Sequence, residues 1–102
     1  MTAILALTSF QRHEIVRQLG RDFWAISGGK VGALRGGIDL PCGAGYSVKI
    51  ELDASDTYVV SRVYRRSGVE HAHGVRTNIG CEELAEVAFR ASCFRDYDDE
   101  EW

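Results

Sequence analysis

Two hydrophobic periods divide the chain. Between residues 9 and 19 the apolar side chains fall at helical spacing: Ile15, Val16 and Leu19, with Phe10 near the entry, lie on or beside one face, and Arg12, Glu14, Arg17 and Gln18 fall elsewhere. Thr8-Ser9-Phe10-Gln11 has the form of a capping box, in which a hydroxyl accepts from a backbone N–H and Gln11 reaches back, so a helix is predicted to start near Ser9. Gly20 supplies the residue type that most easily adopts the left-handed conformation ending a helix.

From Asp22 to Val75 the period falls to 2, and glycine or Asp/Ser clusters interrupt the chain at short intervals, as antiparallel strands require. Asp22–Ser27 reads as a strand leading through Gly28-Gly29 into Lys30–Arg35, because paired glycines accept the positive φ angles of a tight hairpin turn. Ile38–Leu40 is a short piece between Gly36-Gly37 and Pro41-Cys42-Gly43-Ala44-Gly45, expected at an unpaired edge where sheet extension would allow a homodimer. In Tyr46–Leu52 the residues Tyr46, Val48, Ile50 and Leu52 alternate with Ser47, Lys49 and Glu51, predicting one buried and one wet face. Thr57–Arg65 follows, with Val59 and Val63 on one face and Tyr58, Val60 and Tyr64 on the other, and Arg66-Ser67-Gly68 turns the chain into Val69–Val75. Helical spacing returns in Cys81–Cys93, where Leu84, Val87, Ala88 and Ala91 form a stripe and Glu82, Glu83 and Glu86 suit the N-terminal end. The expected fold class is α+β: an N-terminal helix, a curved antiparallel sheet of about four to five strands, and a C-terminal helix packed on it. Residues 1–95 form a single domain in this reading, and 96–102 a short acidic C-terminal tail.

Charge sharpens that division. Asp96, Asp98, Asp99, Glu100 and Glu101 are five acids within the last seven residues, so the net charge of −3 separates into −5 for the tail and +2 for residues 1–95. The longest apolar run, Ala3–Leu7, is far short of a membrane span and follows no basic stretch, which points to a cytoplasmic protein with no membrane association. Cys42, Cys81 and Cys93 are odd in number and match neither a disulfide framework nor a CxxC zinc pattern, so reduced thiols are expected.

The stretch Leu19-Gly20-Arg21-Asp22-Phe23-Trp24-Ala25-Ile26-Ser27-Gly28-Gly29, with Lys49-Ile50-Glu51-Leu52 and Asp56-Thr57-Tyr58, resembles a group of small uncharacterised proteins of tailed bacteriophages. The resemblance covers roughly residues 16–93. Arg21 stands where that group has a second glycine, and Ser27-Gly28-Gly29 where it has Thr-Gly-Ala. It implies phage or prophage origin, location in the bacterial host cytoplasm and a small α+β fold, and it carries no catalytic motif.

Several constellations could bear chemistry. His71 and His73 would share one face of a regular strand with Cα atoms ~6.8 Å apart, a spacing that two ligands of one metal can span, though a third ligand is missing locally. Cys81 sits near a predicted helix N-terminus, where a thiol is activated, but among Glu82 and Glu83, which oppose activation. Gly28-Gly29-Lys30 lacks the spacing of a phosphate loop. No cofactor and no catalytic residue is assigned. Arg62, Arg65, Arg66 and Arg76, with Tyr58, Tyr64 and Trp24 on strands, could form a basic aromatic surface for single-stranded DNA, and Asp96, Tyr97, Asp98, Asp99, Glu100, Glu101 and Trp102 resemble the acidic aromatic-ended tips of single-strand DNA-binding proteins. A body charge of +2 is low for that role. The first expectation is therefore a non-catalytic accessory protein that binds a host or phage protein through a strand edge, an aromatic patch or the tail; the alternative is a single-strand DNA-binding factor.

Overall fold

The computed structural model describes residues 6–93. Helix α1, Ser9–Leu19, begins at the capping box anticipated from the sequence: Thr8 Oγ1 accepts from Gln11 N–H, and Gln11 Oε1 accepts from Thr8 N–H at 2.9 Å. Gly20 ends the helix at φ 57°. Helix α2, Asp22–Ser27, then packs Phe23 and Ile26 against the core, while Trp24 and Ala25 face outward.

The assignment of Asp22–Ser27 to a strand is thus corrected. In a six-residue segment with apolar residues at 23, 24 and 26, alternation and helical spacing look alike; burial of Phe23 with Ile26, three positions apart, settles the helical period. Gly28 and Gly29 do take positive φ, 64° and 88°, but Gly28 terminates α2 and no hairpin forms there.

Among the described residues the strands form one antiparallel meander in the order β1-β2-β3-β4-β5: β1 Gly32–Leu34, β2 Gly37–Gly43, β3 Tyr46–Leu52, β4 Tyr58–Arg66 and β5 Val69–Ile79. Helix α3, Leu84–Ser92, returns across it. The segment Ile38–Leu40, expected at an edge, lies inside β2 and pairs on one side with β1 and on the other with β3. Pro41 is tolerated in this interior strand because β1 ends at Gly32 opposite Asp39, so the missing N–H faces no neighbour on that side.

All three helices cover one face of the sheet. Ile38, Leu40, Val48, Ile50, Tyr58, Val60 and Ile79 meet Ile15, Leu19, Ile26, Leu84, Ala88 and Ala91 in one core. Tyr58, whose hydroxyl donates to Gln18 Oε1 at 2.8 Å, ties α1 to β4 across it. The opposite face carries small buried residues, Ser47, Val59, Ser61 and Val63, rimmed by an ion-pair network: Arg65 reaches Asp39 at 3.2 Å and Glu70 at 3.0 Å, and Lys49 reaches Glu70 at 3.0 Å. Among the described residues no helix is long and apolar enough to cross a membrane.

Candidate functional site

The two edges of the sheet differ. β5 is eleven residues long but broken by two register shifts against β4, and such bulges blunt an edge against further pairing. β1 is short, regular and flanked by a groove. Leu52 N–H donates to Gly36 O at 3.0 Å, and Ile38 and Leu40 follow Gly36 at two-residue steps, so these residues bond toward β3. Gly37 and Asp39 therefore bond toward β1, where they meet Leu34 and Gly32. Ala33, between those two, turns its N–H and C=O outward.

Beside that outward main chain lies a groove of about 220 Å³ between α1 and β1, lined by Ser9, Arg12, His13, Val16, Val31, Gly32, Ala33 and Ile38. Val31, Ala33 and Ile38 point to the helix side of the sheet, and α1 supplies the other wall through Ser9, His13 and Val16. The space is smaller than a typical small-molecule site and suits one apolar side chain. Its mouth is bordered by exposed apolar surface: Val31 is 48% exposed, and Phe10, 74% exposed, lies three residues before His13 on α1. Trp24, 68% exposed, lies over Gly29, two residues before Val31, so closely that a Cβ on Gly29 would meet the ring.

The groove is cationic. Arg12 clasps the turn end of the β1–β2 hairpin, its Nε donating to Leu34 O at 2.9 Å and Gly37 O at 3.2 Å. These acceptors are main-chain carbonyls, not carboxylates. His13 is exposed beside it, Lys30 and Arg35 are exposed at either end of β1, and among the described residues no carboxylate lines the space.

The arginines proposed for a nucleic-acid surface do not share a face. Arg62 is 2% exposed and turned to the helix side, its guanidinium carbon 4.3 Å above the Tyr46 ring, which in turn stacks against Tyr64 at 4.8 Å. Arg65 lies on the opposite face within the carboxylate network; its hydrogen bond to Asp39 raises its pKa above the ordinary arginine value. Arg66 is exposed near the β4–β5 turn, and Arg76 lies in a second cleft of about 240 Å³ with Ile79, Glu83, Glu86, Val87 and Arg90, where acids and bases balance.

His71 is exposed on β5. The step from Ala72, opposite Val63, to Gly74, opposite Arg62, makes His73 the extra residue of a bulge in the β5 backbone. Among the described residues no three His, Cys, Asp or Glu side chains gather closely enough to hold a metal. Cys81 is exposed and donates to Glu82 at 3.6 Å, while burial pushes the Cys42 thiol up to about 11. The tail candidates Asp96 to Trp102 lie outside the described residues.

Sequence reasoning passed over the groove residues Arg12, His13, Val31 and Ala33. A signal was present in α1, where helical spacing sets Arg12 and His13 beside the apolar stripe, but a strand at 22–27 would have covered β1 and hidden its edge. Comparison of the chain with family models, curated proteins and solved structures finds no match in any of the three.

Proposed function

We propose that this chain is a protein-binding module that takes an extended, acidic segment of its partner along the free edge of β1. The observation that carries the reading is the juxtaposition of outward main-chain groups at Ala33 with an apolar, cation-lined groove beside them. Strand addition supplies backbone hydrogen bonds, and an adjoining pocket for alternate side chains supplies selectivity. Here one apolar side chain enters between Val16, Val31 and Ile38, and a neighbouring carboxylate meets Arg12 or His13. The module is non-catalytic in this reading. It belongs to an accessory protein of phage or prophage origin, in keeping with its resemblance to tailed-bacteriophage proteins, and the partner is a host or phage protein in the bacterial cytoplasm.

Selection from a random peptide library tests this even with the partner unidentified. The Ala33→Pro chain serves as counter-screen, because proline removes the outward N–H without removing a bond to β2. Selected peptides are expected to combine an aliphatic or aromatic residue with a nearby acid and to lose binding to Ala33→Pro. Enrichment that survives this substitution, or sequences without acids, would count against the site.

A further inference from the structure

We infer that the end of the chain's own acidic tail, residues 100–102, occupies the β1 groove and competes with the partner segment. The inference rests on the groove's proposed role in strand addition and adds its regulation. The end of the tail carries the chemistry the groove selects: Glu100 and Glu101 supply carboxylates for Arg12 and His13, and Trp102 the apolar side chain. The charge division of the chain, −5 against +2, favours this contact at ordinary ionic strength, where screening acts over ~8 Å.

The chain is long enough. Helix α3 ends at Ser92, and Cys93, which caps it, lies within electrostatic reach of Cys42 on β2. Cys42 is four residues along the same strand from Ile38 in the groove floor, or ~13 Å at the rise of an extended strand. Nine residues follow Cys93, enough to extend roughly 30 Å. With a detour of ~10 Å over α2 the path is roughly 23 Å, about seven extended residues, so the part of the tail that reaches the groove is its end, Glu100 to Trp102. Docking the tail in the same chain makes the competition independent of protein concentration.

The test compares the intact chain with a full-length variant carrying Glu100→Gln, Glu101→Gln and Trp102→Ala, by amide chemical shifts and by affinity for one library-selected peptide. Self-occupancy predicts shift differences at His13, Val31 and Ala33 that persist on dilution. It also predicts peptide binding about tenfold weaker to the intact chain, as for a groove free roughly a tenth of the time. Adding a synthetic peptide of sequence 96–102 to the variant should return those amides toward their positions in the intact chain, and should fail to do so when Ala33→Pro is also present. Identical groove amides in the two chains, or differences that vanish on dilution, overturn self-occupancy. Equal peptide affinity for both chains overturns it while leaving strand addition at the groove intact; failure of every selected peptide to perturb β1 in either chain overturns strand addition itself.

Discussion

Gly37 shows how tightly the edge hairpin is held. A Cβ at this position would overlap the carbonyl oxygen of Ile50 on β3, and neither backbone can retreat without opening the β2–β3 register. Gly37→Ala should therefore cost about 1–3 kcal/mol or more, measured by urea unfolding, although the backbone needs no left-handed conformation there. Cys42 and Cys81 differ for an equally local reason. Burial chiefly raises the Cys42 pKa to about 11, whereas Cys81 is exposed, so a thiol reagent at mildly alkaline pH should label Cys81 in the native chain and leave Cys42 until unfolding. Because the folded-state value is raised, the neutral Cys42 thiol contributes stability below pH 9 that is lost as pH climbs toward 11. Cys42→Ala should flatten this alkaline limb of the stability profile; an unchanged limb would show that the thiol does not titrate as its burial demands.

At the scale of elements, α1 was legible almost to the residue because capping chemistry and helical spacing agree over its whole length. The span of β3 is equally legible, since alternation through Tyr46–Leu52 has no competing reading, but the face expected to be wet is partly closed, with Ser47 buried on it. The Val59/Val63 and Tyr58/Val60/Tyr64 faces of β4 also follow from alternation, which its unbroken register with β3 preserves. α2 is ambiguous in the sequence because six residues are too few to separate the two periods, and reading it as a strand gives β1 a second neighbour while the edge is expected at Ile38–Leu40, which is interior. Arg62 exposes another limit: its position on the helix side follows from alternation, but its burial over Tyr46 does not follow from composition. The joint between α1 and β4 makes a direct prediction. Tyr58→Phe removes the hydroxyl that donates to Gln18 and should lower stability by about 1 kcal/mol in chemical denaturation, with the helical content of the folded state unchanged. A change below about 0.3 kcal/mol would mean that water replaces the bond at no cost.

Over the whole molecule the helices seal one face of the sheet, while an ion-pair network closes the small residues of the other. Hydrogen bonding to Lys49, reinforced by Arg65, holds Glu70 below the usual carboxylate range. The sign follows from linkage: ionised Glu70 stabilises the fold above its unfolded pKa, and that contribution disappears as pH falls through the lowered folded value. Glu70→Gln should accordingly weaken the fall of stability on the acid side, by a small amount because the pair is partly exposed. With both faces engaged, the β1 edge and its groove are the region best placed to receive another chain. The direct measurement is hydrogen exchange at the Ala33 amide, with and without a saturating library-selected acidic peptide. Strand addition predicts that Ala33 exchange slows on binding while the amides of β4 keep their rates. Binding of the peptide with no change at Ala33 would contradict it.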